Sequence, residues 1–152
     1  MGRVRMCTLL LAGGVILSMT PMAYGDYHST GNPRPALATG AEAQLQTAIQ
    51  HARELAAGSA ALGGIREHLQ HTINCLEGSG GKNFKRAAGH PCEGMGRGFL
   101  VDASGKTGAL FLARRADALA VEAVATLRDV PTARAAARSV AFLLEEAGKL
   151  LK

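Results

Sequence analysis

Three histidines stand at spacings that suit metal coordination. His51 precedes a Gly58-Ser59 break by about as many residues as His68 follows it, and His71 lies one helical turn beyond His68. If the flanking segments are helices folded back on one another, His51 and His68 occupy nearly the same height. His68 and His71 are then i,i+3 neighbours, about 5 to 6 Å apart at their β-carbons. Three converging imidazoles would take one divalent transition ion (copper, nickel or zinc), with Glu54 or Glu67 available as a carboxylate donor. All three histidines lie on the same rotational side of their apolar stripes. Those sides face each other for one handedness of the hairpin and point apart for the other, which leaves solvated surface histidines as the competing expectation.

Two further groups have chemical potential. Cleavage of an amino-terminal leader after Gly25 would make Asp26-Tyr27-His28 the new amino terminus. There the α-amine, two backbone amides and the His28 imidazole would form the square-planar nitrogen set that Cu(II) and Ni(II) prefer, the alternative being a plain unstructured leader. Cys75 and Cys92 are the pair left once Cys7 departs with that leader, and an oxidising compartment favours a disulfide between them. The rival arrangement is a Cys2His2 zinc site built from His71, Cys75, His90 and Cys92.

Residues 1 to 25 have the order of a secretory signal peptide: Arg3 and Arg5, an apolar run from Cys7 to Met19, then the small-residue frame Ala23-Tyr24-Gly25. The apolar run is interrupted by Gly13 and Gly14 and falls short of the roughly 20 residues that a membrane-spanning helix needs. The expected location is therefore periplasmic or secreted, with no membrane attachment after cleavage, the alternative being an uncleaved membrane anchor. The formal net charge of +5 falls by two when Arg3 and Arg5 leave. The remaining basic residues are scattered and aromatic residues are few, so no nucleic-acid partner is expected. What remains is one domain's worth of chain, rich in Ala and Leu and without Trp, which favours helices.

Positioning the histidines falls to four helical stretches. After a leader over residues 26 to 40, a first helix is expected from Ala41 to Ala57 with Leu45, Ala48, Ile49, Ala52, Leu55 and Ala56 on one stripe. Gly58 stops it and Ser59 stands where the next N-cap belongs. The second helix carries Leu62, Ile65, Leu69, Thr72, Ile73 and Leu76 inward and ends at Gly78. Residues 78 to 108 form a Gly-rich connection longer than ordinary helix–helix links. A third helix is expected over about 109 to 128, with Leu112, Ala116, Leu119, Ala123 and Leu127 inward, and Asp129-Val130-Pro131 as a turn. The fourth covers about 132 to 151, with Ala133, Ala136, Val140, Leu143, Leu144 and Ala147 inward. The expected architecture is all-α: an antiparallel up-down four-helix bundle made of two αα-hairpins joined by the long, disulfide-tied loop, together a single domain over residues 41 to 152.

Other chemistry is poorly served. Ser104-Gly105-Lys106-Thr107 lacks the upstream glycine of a phosphate-binding loop, because Leu100 stands there. Paired Glu-x-x-His motifs for a di-iron centre and a Cys-x-x-Cys-His haem motif are missing. No nucleophile–base–orienter set is apparent, so a non-enzymatic role is expected.

The hairpin AIQHARELAAGSAALGGIREHLQHTINCLEG, with histidine on both helices and a glycine turn, resembles the exported bacterial small metal-binding proteins over residues 41 to 77. That resemblance implies a histidine-bearing four-helix bundle that takes up copper and other divalent ions. With no histidine in the second hairpin, it implies one site carried by His51, His68 and His71. The segments HLQHTINCLEG and HPCEGMGRG are also similar to an exported bacterial family that carries no assigned activity. The functional expectation is metal buffering, storage or handover; the alternative is a metal-free periplasmic interaction module whose Cys-tied loop docks a protein partner.

Overall fold

A computed structural model describes residues 40–57 and 61–151. The expected signal peptide, the leader up to residue 39, Cys7, His28, Gly58, Ser59 and the side chains of Leu55 and Ala56 lie outside the described residues. Among the described residues the fold is all-α, with five α-helices and no strand: α1 Ala41–Ala57, α2 Leu62–Glu77, α3 Phe99–Asp102, α4 Thr107–Thr126 and α5 Val130–Lys149, plus a 3-10 turn at Arg86–Ala88.

The four long helices share one hydrophobic core, and each has a sequence reason to be helical. The buried positions of α4 (Ala109, Ala113, Ala116, Ala120, Ala123) alternate steps of four and three, as do Ala133, Ala137, Val140, Leu144 and Ala147 of α5. That alternation averages 3.5 residues and keeps one narrow seam facing its neighbour along the helix. α1 packs on α2 and α5, α2 on α4, and α4 on α5. The Thr72 hydroxyl bonds the Ala48 carbonyl at 3.3 Å, while four residues earlier in α2 His68 meets His51, so α2 returns alongside α1 in the opposite sense.

Several boundaries and faces differ from expectation. The inward face of α4 is alanine, not the mixed Leu/Ala stripe: Leu112, Leu119 and Leu127 are only partly buried at the edge of the core. Alanine on facing seams lets two helices approach toward the near end, roughly 8 Å, of the usual interaxial range. In α5 the buried residue is Ala137, and Ala136 and Leu143 are only partly covered. α2 begins at Leu62 with Ala61 as its N-cap and no side-chain cap bond. Pro131 lies inside the first turn of α5, where its missing N–H costs nothing, and Asp129 caps that helix by accepting from the Thr132 N–H at 2.9 Å.

The connection between the two pairs of helices is a folded layer. Phe99 of α3 is fully buried and plugs the core. Gln44 of α1 donates to Asp102 at 2.9 Å, and Asp102 also accepts the Arg97 backbone N–H at 2.7 Å. Gly98, with φ +111°, brings the strand of chain leading into α3 against the end of α2. A Cβ there would fall inside the Glu77–Gly78 backbone, so only glycine permits the approach.

Candidate metal centre

α1 and α2 bring the three histidines of the hairpin together. Ring centroids of His51 and His68 are 5.5 Å apart, His51 and His71 4.8 Å, and His68 and His71 5.6 Å. One ring nitrogen from each lies within 4.8 Å of the other two. The hairpin thus has the hand that turns the histidine faces toward each other.

Two of the rings and one carboxylate already form a compact donor triangle. His51 Nδ1 stands 3.3 Å from His68 Nδ1, and Glu54 Oε2 lies 3.5 Å from the first and 3.3 Å from the second. Four donors held tetrahedrally at about 2.0 to 2.1 Å from one ion are separated by roughly 3.3 Å from each other. The triangle therefore has the dimensions of one face of such a shell. Gln50 Nε2 donates to Glu54 Oε1 at 2.9 Å, which leaves Oε2 free to face the histidines. Glu67, the other carboxylate expected within reach, is exposed and takes no part in the triangle.

The His71 ring lies beside these two histidines, its centroid 4.8 Å from that of His51 and 5.6 Å from that of His68. Its Nε2 donates to the Ala88 carbonyl. A carbonyl oxygen only accepts, so Nε2 carries the proton and Nδ1 holds the lone pair in the neutral ring. That Nδ1 is buried and has no hydrogen-bond partner. A buried acceptor without a partner costs free energy unless something fills the place.

The electrostatics favour the ligand form of His51. Burial pushes its imidazole down to about 4, helped by the neighbouring His71 and His68, and the Glu54 carboxylate offsets only part of this. The His51 ring is therefore neutral at ordinary pH, as coordination requires. Exposure of the side chains rises from 17% at His51 through 32% at His68 to 42% at Glu54, so the cluster opens to solvent on one side.

The cysteines follow the first of the two expectations. Cys75 and Cys92 form a disulfide with Cα atoms 5.2 Å apart, which consumes both thiols and removes the alternative Cys2His2 zinc set. His90 lies apart from the triad, with its ring edge-on to Phe84 at 4.9 Å. Sequence reasoning did not find the Ala88 carbonyl, since a backbone acceptor in a loop has no residue-type signature. It also passed over Asn74, which is buried and bonds the loop at several points.

No protein-family model, curated protein or solved structure matches this chain. Among the described residues, no helix is long and apolar enough to cross a membrane.

Proposed function

We propose that this protein binds one divalent transition metal ion between α1 and α2, through His51, His68, His71 and the Glu54 carboxylate, and serves in its storage, buffering or handover. The observation that carries the reading is the 3.3–3.5 Å triangle of His51 Nδ1, His68 Nδ1 and Glu54 Oε2 beside the His71 ring, whose buried Nδ1 has no hydrogen-bond partner. The widest separation among the histidine donors, 4.8 Å, exceeds a tetrahedral edge by about 1.5 Å, which side-chain rotation on binding closes. A near-tetrahedral nitrogen and oxygen set suits Zn(II) better than the square-planar preference of Cu(II) or Ni(II). Solvent access on the Glu54 side suits an ion that must be loaded and released.

The helix contacts support an antiparallel up-down four-helix bundle as the scaffold, with the site on its first hairpin. The disulfide supports an exported protein, because such bonds persist in oxidising compartments. The loop expected to dock a partner turns Phe99 inward, so the metal reading has the stronger support.

The test is zinc titration of the purified exported protein after chelator treatment, followed by metal analysis. One equivalent should bind to the wild type and none with comparable affinity to His51→Ala or His71→Ala. Equal binding by all three would overturn the assignment. Zinc that binds only the folded chain should also raise the melting temperature, by mass action worth about 4 kcal/mol at a free concentration near 1,000 times Kd.

A further inference from the structure

We infer that Asn74 and the turn it holds are a positioning device for the metal centre, fixing the His71 tautomer so that Nδ1 alone is presented to the ion. This rests on the metal reading above and names how that site is tuned. Asn74 is one helical turn beyond His71 on α2 and fully buried. Its Nδ2 donates to the Lys85 carbonyl at 2.9 Å and to the Gly89 carbonyl at 2.5 Å, and its Oδ1 accepts the Lys85 N–H at 2.9 Å. These bonds grip both ends of the 3-10 turn Arg86–Ala88. Within that turn the Ala88 and Gly89 N–H groups are spent on the Lys85 and Arg86 carbonyls. The Ala88 carbonyl is left facing α2, where His71 Nε2 donates to it.

Two further contacts hold the same piece of chain. Gln70 Nε2 donates to the Asn83 carbonyl at 2.8 Å, and the Cys75–Cys92 disulfide anchors the chain just beyond the turn. Gly89 completes the fit. It has φ +94°, where an L side chain is strained, and a Cβ on it would lie 3.2 Å from His71 Nε2, close enough that the ring would have to shift by a few tenths of an ångström. A metal-binding histidine whose second nitrogen is fixed by a carbonyl is locked in tautomer and orientation, and loss of such a partner costs 10- to 100-fold in metal affinity. Here one buried amide controls that carbonyl from a distance. The Asn74 side chain bonds Gln70, Lys85 and Gly89 and offers no donor to the ion in this reading.

Asn74→Ala tests the inference, with Gly89→Ala as a second variant that leaves the Asn74 bonds available. The disulfide retains the loop in both. Nitrogen-15 NMR of the His71 ring in metal-free, full-length protein should show a single Nε2–H tautomer in the wild type and a mixture of tautomers in each variant. Zinc affinity, read by competition with a chromophoric chelator, should fall 10- to 100-fold in each. In a His71→Ala background, Asn74→Ala should change the residual affinity by less than about twofold, because the two residues act through one path. An unchanged His71 tautomer with unchanged affinity would overturn the inference. So would an equal loss of affinity in the His71→Ala background, which would make Asn74 merely structural. A wild type that binds no zinc would defeat the metal reading instead, and the tautomer measurement would still decide whether Asn74 positions the ring.

Discussion

Under the proposed metal reading, Glu54 would decide whether the triad makes a three-nitrogen or a four-donor shell. Its Oε2 closes the triangle with His51 and His68, while Glu67 on the neighbouring helix is turned to solvent. Glu54→Gln keeps the shape and the Gln50 contact but removes the charge that an ion would neutralise. A direct donor should matter at least as much as the outer partners of ligands, whose loss costs 10- to 100-fold, so Glu54→Gln is expected to lower zinc affinity by at least about tenfold. Glu67→Gln should leave it unchanged. Parallel chelator-competition titrations of the two variants check this, and equal behaviour would put Glu54 outside the shell. Residue types and their count from the turn made the convergence of His51, His68 and His71 legible in the sequence. The hand of the hairpin was not legible, because apolar periodicity reads the same for both hands.

At the scale of elements, α4 carries the clearest lesson about packing. Leu112, Leu119, Ala116 and Ala123 satisfy helical periodicity as well as the all-alanine face that is in fact buried. Which stripe turns inward depends on how closely the neighbouring helices approach, and α5, which packs on α4, buries alanine at Ala133, Ala137, Ala141 and Ala147. All five buried positions of α4 are alanines at 0 to 3% exposure, so a larger side chain there must displace its neighbours. Ala116→Leu is therefore expected to destabilise the protein by about 1 to 3 kcal/mol through overpacking, whereas Leu112→Ala, at the edge of the core, should cost less than a fully buried leucine. Urea unfolding of the two variants checks the order, and a tolerated Ala116→Leu would mean that the helices are farther apart. The approximate bounds of α1, about Ala41 to Ala57, were readable because a periodic stripe runs up to Gly58 in the sequence. Both α4 and α5 begin two residues earlier than expected; in α5 the reason is that Asp129 works as a cap and Pro131 is accommodated in the first turn. The short helix at Phe99–Asp102 has too few residues to show a period at all, and tertiary burial of Phe99 holds it in place.

For the molecule as a whole, two half-buried titratable groups, His51 on α1 and Asp117 on α4, pull stability in opposite directions with pH. His51, depressed to about 4 in the folded chain, takes up a proton more readily when unfolded, near the ordinary value of 6.5. Its contribution is present above pH 6.5 and is lost as the pH falls toward 4. Asp117 of α4 is pushed up to about 7, first by burial and then by the nearby Glu77 carboxylate, with Arg114 opposing. A raised carboxyl binds its proton more tightly when folded, so its contribution is present below the ordinary 3.8 and is lost as the pH rises through about 7. Between pH 4 and 6.5 the two slopes oppose each other, each on the order of 1 kcal/mol per pH unit. Neutral substitutes should separate them in protein kept metal-free by a chelator. Relative to the wild type, His51→Gln should gain stability as the pH is lowered from 6.5 to 4, and Asp117→Asn should gain it as the pH is raised from 4 to 7. Denaturant unfolding across that range gives both differences. Parallel curves for wild type and Asp117→Asn would show that Asp117 is ionised in the folded chain like any surface carboxylate. Adding zinc to the same series should steepen the acid side for the wild type and Asp117→Asn but not for His51→Gln, because protons then compete with the ion for the His51 ring.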